Sequence, residues 1–150
     1  MPSSWTQNYY HLVFSTKGRE PLISAELKSR LYPFFGGIAK DLCSQLLAGN
    51  GMEEHVHLLV RFPPDLAPAE LAREVKARSS RWVHESFEGL RDFAWQRGYG
   101  GFTVNRALVP EVESYIRNQE EHHRTLSFQE EFLALLRSHG VEFDQRYVFE

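Results

Sequence analysis

The sequence predicts an α+β fold, a ferredoxin-like antiparallel sheet of order β-α-β-β-α-β with additional C-terminal helices. Three observations support this. Four stretches carry strand chemistry, and helical patterns separate them in that order. Two more helical patterns close the chain. The 150 residues are 42% hydrophobic and 13% aromatic, enough to fill the core of one domain spanning 1–150.

Asn8 to Thr16 alternates, with Tyr9, His11 and Val13 on one face and Tyr10, Leu12 and Phe14 on the other. Lys17 to Pro21 is a polar loop. Ser24 suits an N-cap, and Leu27, Leu31, Phe34, Phe35 and Ile38 follow at helical spacing. Pro33 should kink or interrupt that helix. Cys43 to Ala48 reads as the second strand and Gly49-Asn50-Gly51 as turn chemistry. His55 to Phe62 is the third strand, ended by Pro63-Pro64. Ala67 to Phe87 reads as a helix with Leu71, Val75, Ser79 and Val83 near one side. The last part of Trp95–Val104 suits a fourth strand. Pro110 fits the first turn of a helix over about 111–123, where the dipole favours Glu111 and Glu113. Ser127 with Glu130 is a capping-box signal for a final helix, with Phe132, Leu135 and Leu136 inward and Gly140 as its stop. Helices on one face of this sheet leave the other as a working surface.

No run of about 18 apolar residues occurs, so no membrane partner is expected, and the N-terminus does not read as a signal peptide. Cys43 is the single cysteine, which excludes an intrachain disulfide and fits a cytoplasmic protein. The net charge of −3 conceals an asymmetry: 13 basic against 11 acidic residues over 1–110, and 4 against 9 over 111–150. A polyanion would meet the first part.

The chemistry starts at His55-Val56-His57. On a strand the two imidazoles point the same way, which makes half of a metal site. Seven histidines give roughly 0.3 such triplets by chance, so the triplet alone is a weak signal. In the helix after Pro110, Tyr115, Gln119 and His122 fall within about 60° of one another. Turned toward His55 and His57, that stripe adds an oxygen or nitrogen ligand and a phenol. Mg²⁺ or Mn²⁺ takes such donors and keeps open positions for phosphate. A metal there can polarise a phosphodiester, help that a tyrosine nucleophile of pKa near 10 needs. The inferred reaction is attack of Tyr115 on a phosphodiester. It gives a phosphotyrosine link that allows rejoining without a nucleotide cofactor.

These residues resemble a single-tyrosine HUH transposase, a class of bacterial insertion-sequence enzymes acting on single-stranded DNA that includes the REP-associated tyrosine transposases. His55-Val56-His57 matches the HUH motif, Tyr115 within Tyr115-Ile116-Arg117-Asn118-Gln119 the catalytic tyrosine, and Gln119 the third metal ligand. Three further segments are similar to family signatures: Thr16–Pro21, Lys76–Trp82 and Trp95–Phe102. The resemblance covers nearly the whole chain. It implies a DNA transposase using Mg²⁺ or Mn²⁺, substrates that are single strands with hairpin ends, and a homodimer in which one subunit's tyrosine helix can serve its partner's histidine pair. It also implies a cytoplasmic, nucleoid-associated location.

Lys76, Arg78 and Arg81 beside Trp82 could contact phosphates and stack a base, with Lys17 and Arg19 as further DNA contacts. The same cluster also reads as an ordinary solvated helix face. His11 reads as a structural histidine, and His122 and His123 as surface groups or partners of ligands. Two rival readings stay open. One is a domesticated or non-catalytic module binding single-stranded nucleic acid. The other is a zinc hydrolase built on His55, His57 and His122.

Overall fold

The computed structural model describes residues 4–149. Its elements are β1 (Asn8–Ser15), α1 (Ala25–Asp41), β2 (Gln45–Gly51), β3 (His55–Phe62), α2 (Pro68–Ser86), β4 (Gly100–Thr103), α3 (Val109–Arg117), α4 (Gln119–His122) and α5 (Phe128–Ser138). The four strands form one antiparallel sheet in the order β2-β3-β1-β4. This is the ferredoxin-like arrangement, with β1 and β3 at the centre.

The β1 alternation decides the layering. Leu12 and Phe14 point to one face and join Val56, Leu58 and Val60 of β3 in a core covered by α1 and α2. Tyr9, His11 and Val13 point to the opposite face. Cross-strand partners share a face, so His57 opposite Val13 and His55 opposite Ser15 belong there too. That second face is not left open. Leu59 and Tyr9 pack with Val109 and Ile116 of α3, and Val13 and Phe102 with Phe128, Phe132 and Leu136 of α5. The sheet is therefore covered on both sides. Beyond α2, the chain supplies enough apolar surface on α3 and α5 to bury the histidine face.

Several boundaries differ from the sequence reading. The Ser24 hydroxyl caps α1 by accepting from the Leu27 amide at 3.1 Å. The helix runs on through Pro33, which is exposed, as is Ser29, whose carbonyl loses its helical donor. Water can satisfy that carbonyl, while buried Leu27, Leu31, Phe35 and Ile38 anchor the helix on both sides of it. Gly49-Asn50-Gly51 lies inside β2, and the turn falls on Met52–Glu54. The glycines are there for close approach. A Cβ on Gly49 would stand 2.7 Å from Tyr32 Cδ1, and one on Gly51 would stand 2.1 Å from the His55 carbonyl oxygen. Trp95 forms only a single bridge to Thr16, and regular pairing of β4 begins at Gly100. The helix expected over 111–123 is divided at Asn118 into α3 and α4.

Candidate active site

Strand β3 holds His55 and His57 rigidly with their Nε2 atoms directed at the covering helices. Both side chains are fully buried. The α3–α4 junction keeps the stripe largely intact across Asn118. Gln119 is buried with its Oε1 accepting from His55 Nε2 at 2.9 Å. The Tyr115 ring lies 5.8 Å from that of His57 and stacks on His122 at 4.6 Å. The four residues singled out from sequence as catalytic and metal-binding thus meet at one point of one chain.

A residue the sequence reading missed sits at their centre. Glu131 of α5 is 1% exposed. Its Oε1 accepts from His57 Nε2 at 2.9 Å and lies 3.3 Å from His55 Nε2 and 3.1 Å from His123 Nε2. Its Oε2 accepts from Gln119 Nε2 at 2.7 Å and from the Tyr115 hydroxyl. A signal for it exists in the sequence. Glu131 occupies the apolar stripe of α5 between Phe128, Phe132 and Leu135, where a lone carboxylate needs polar partners. The Ser127 capping box fixes the start of that helix. His123, read as peripheral, also reaches the centre, with Nε2 3.1 Å from Gln119 Oε1. His122 does not, and its Nε2 is buried without a hydrogen-bond partner.

The far side of each imidazole is also held. His55 Nδ1 donates to Glu54 Oε1 at 2.5 Å, and His57 Nδ1 faces His11 Nε2 at 2.8 Å. Burial opposes charge on His55, but hydrogen bonds to Glu131, Glu54 and Gln119 outweigh it and raise its pKa to about 9. His57 goes the other way. Burial dominates, with the charge on His55 adding to it, and lowers its pKa to about 4. His11 falls to about 3, through burial and its neighbour His57. Burial and the Glu131 carboxylate push the Tyr115 phenol well above its usual value. Burial alone would raise Glu131, but the hydrogen bonds from His55, His57 and Tyr115 hold it far below the usual carboxylate range.

Among the described residues, His55, His57 and Glu131 offer ligand atoms within 4.8 Å of one another, a group that could hold a metal ion. The donor chemistry fits a hard divalent cation: imidazole nitrogens, a carboxylate and the amide oxygen of Gln119. The spacings fit as well. Ligands at about 2.1 Å in an octahedron stand about 3 Å apart along its edges, and the Nε2–oxygen separations here run from 2.9 to 3.3 Å.

The other sequence candidates lie elsewhere. Arg19 borders a cavity of about 260 Å³ with Glu54, His123 and Phe128, and donates to the Phe149 carbonyl at 3.0 Å. Lys17 is exposed in the adjoining turn. Lys76, Arg78, Arg81 and Trp82 belong to α2, across the sheet from the histidines. There Lys76 donates to the carbonyls of Gln96 and Gly98, Arg78 pairs with Glu74, and Trp82 stacks on Phe34 at 4.4 Å. Arg81 is exposed.

The ferredoxin-like sheet thus sets a histidine pair on its third strand against a tyrosine on the covering helix, and comparison with known proteins shows the family. Residues 4–119 match the family of IS200-like transposases, and the chain belongs to it. Among its relatives is the transposase for insertion sequence element IS200 of Salmonella typhimurium, 29% identical over 122 residues, covering 75% of this chain and 76% of that one. The ISDra2 transposase TnpA of Deinococcus radiodurans is 24% identical over 117 residues, covering 75% and 84%. A transposase crystal structure from Deinococcus radiodurans superposes with a TM-score of 0.67 at 25% identity, over 79% of this chain and 95% of that one. A REP-associated tyrosine transposase bound to a REP hairpin shares the fold, with a TM-score of 0.62 at 16% identity over 82% and 73%. Glu131 lies beyond the span that the family matches.

Proposed function

We propose that this chain cleaves and rejoins single-stranded DNA at hairpin-bearing ends through a covalent phosphotyrosine on Tyr115. One observation carries the reading. The Tyr115 hydroxyl, both histidine Nε2 atoms and the Gln119 amide converge on the Glu131 carboxylate, so a nucleophile and a cation's donor set meet at one place. His55, His57 and Gln119 hold Mg²⁺ or Mn²⁺ in this reading, with Glu131 offering one more oxygen. The cation supplies Lewis-acid polarisation of the phosphodiester.

The Tyr115 hydroxyl gives up its proton, its oxygen bonds to phosphorus, and the P–O bond to the neighbouring nucleotide breaks. The freed oxygen takes up a proton and becomes a hydroxyl. Reversal rejoins the strand, because the phosphotyrosine conserves the broken bond's energy. A cavity of about 290 Å³ bordered by Tyr115, His11 and His139 leads to the nucleophile. For a phosphodiester to reach Tyr115 beside the histidine pair, Glu131 Oε2 must release its hydrogen bonds to the Tyr115 hydroxyl and Gln119 Nε2. Arg19, at the cavity bordered by Glu54 and His123, and Lys17 in the adjoining turn are proposed as phosphate contacts. Lys76, Arg78, Arg81 and Trp82 are proposed to hold DNA away from the cleaved bond. A homodimer is part of the proposal, with Tyr115 serving either the histidine pair beside it or that of the partner subunit. A protein acting on DNA in this way would work in the cytoplasm, at the nucleoid.

The test uses labelled single-stranded hairpins from the DNA flanking the gene, incubated with Mn²⁺ and resolved on a denaturing gel. Wild type should form a covalent adduct that chelator and Tyr115→Phe both abolish. No adduct with any such hairpin overturns the catalytic reading, and an adduct surviving Tyr115→Phe moves the nucleophile elsewhere. Full burial of the histidine pair favours one rival, a non-catalytic single-stranded nucleic-acid-binding module. Binding indifferent to chelator and to His57→Ala would support it.

A further inference from the structure

His11 has no part in the chemistry just described, yet it is 3% exposed on β1 and touches a proposed ligand. Its Nε2 lies 2.8 Å from His57 Nδ1, with the two ring centroids 5.1 Å apart. Two ring nitrogens in contact share a single hydrogen, so one must donate and the other accept. Without a metal, His57 Nε2 donates to Glu131 Oε1 at 2.9 Å. Its Nδ1 is then bare and accepts from His11 Nε2–H. With a metal, His57 Nε2 must give up its hydrogen. The neutral ring then carries it on Nδ1, and His11 Nε2 has to become the acceptor.

We infer that His11 is a positioning residue for the metal site, exchanging tautomer with His57 so that the ligand ring keeps one orientation whether the site is empty or loaded. The inference rests on the proposed function, because it takes His57 as a ligand. The hydrogens balance. His57 loses one at Nε2 and gains one at Nδ1 from His11 Nε2, and His11 regains one at its own Nδ1 through water in the cavity that it lines. The pair's proton count is unchanged. His55 needs no such partner. The Glu54 carboxylate only accepts, so His55 Nδ1 keeps its hydrogen in both states. The two ligands are thus held by different means, one by a fixed acceptor and one by a reversible partner.

The direct test is the nitrogen-15 spectrum of the histidine rings in wild-type protein, recorded without metal and with saturating Mg²⁺. Hydrogen should sit on Nε2 of both His57 and His11 without metal, and on Nδ1 of both with it. Tautomers unchanged at saturation overturn the inference. Mn²⁺ affinity, read by electron paramagnetic resonance, provides the second arm. His11→Leu should weaken binding about 10- to 100-fold, the usual cost of losing a partner behind a ligand. His11→Gln, whose amide can donate or accept, should keep most of it. Wild-type affinity in His11→Leu, or an equal loss in His11→Gln, refutes the role. If His11→Leu does not fold, the wild-type spectrum decides alone. Wild type that binds no divalent cation removes the proposed metal site as a whole. Binding with unchanged tautomers removes only the role of His11.

Discussion

Replacing Glu131 by leucine tests how far the site is held together by one carboxylate. The change fills the volume and removes both acceptor oxygens. Gln119 Nε2 and His57 Nε2 then lose their acceptor at fully buried positions. His55 and His123 keep Gln119 Oε1, and half-buried Tyr115 can turn to water. Two orphaned buried donors at about 1–3 kcal/mol each give about 2–6 kcal/mol. Breaking a buried charged pair by removing one partner gives about 3–5 kcal/mol, in the same range. We expect a loss of about 4 kcal/mol at pH 7 without metal, a large share of the 5–15 kcal/mol typical of a domain. Urea unfolding with chelator present, followed by tryptophan fluorescence, measures it. The midpoint should fall by about 2 M for a slope near 2 kcal/mol per M. A loss below about 1 kcal/mol would refute the view that Glu131 organises the site.

Three further outcomes are expected. In the metal-free protein, His57 with a folded pKa of about 4 stays neutral where the unfolded chain gains a proton below about 6.5. Its contribution is therefore lost as the pH falls from 6.5 to 4, at about 1.4 kcal/mol per unit. His55, raised to about 9, acts in the opposite direction, and its contribution fades as the pH rises from 6.5 to 9. Urea midpoints across this range should peak near neutrality, and a flat profile would count against both. Gly51→Ala drives a Cβ to 2.1 Å from the His55 carbonyl, so it should cost more in urea midpoint than Gly49→Ala and also weaken Mn²⁺ binding. Ser79→Ala orphans the Trp95 indole, which donates to Ser79 Oγ at 2.9 Å in the core, and should cost about 1–3 kcal/mol in the same assay.

Much of this was legible in the chain because local chemistry and tertiary structure agree. The alternation from Tyr9 to Phe14 decided which residues face α1 and α2, and the Ser24 and Ser127 caps marked where helices begin. His55, His57, Tyr115 and Gln119 stood out by spacing and by resemblance. Glycines misled where their role was closeness rather than turning, as at Gly49 and Gly51. Pro33 misled because buried Leu27, Leu31, Phe35 and Ile38 hold the helix on both sides of it and offset its cost, while water reaches the freed Ser29 carbonyl. The roles of Glu131 and Glu54 escaped for a different reason: the apolar stripe of α5 flags Glu131 as a carboxylate in need of partners but does not name them. The importance of these two carboxylates comes from what folds against them, 74 residues away for the Glu131–His57 contact, and no local pattern encodes that partner.

The place of Glu131 in chain order also has a meaning in time. The histidine strand, the tyrosine and Gln119 are all synthesised before α5. At about 5–20 residues per second, the ribosome takes roughly 4–15 s to go from His57 to Glu131. Through that interval the two imidazoles lack the Glu131 carboxylate and the cover of α5, with only Glu54 and, later, α3 and α4 beside them. A cation captured then meets an open site, while one arriving later must enter a closed one. Loading during synthesis and loading after release are thus distinct routes to the same occupied site, separated by the emergence of a single helix.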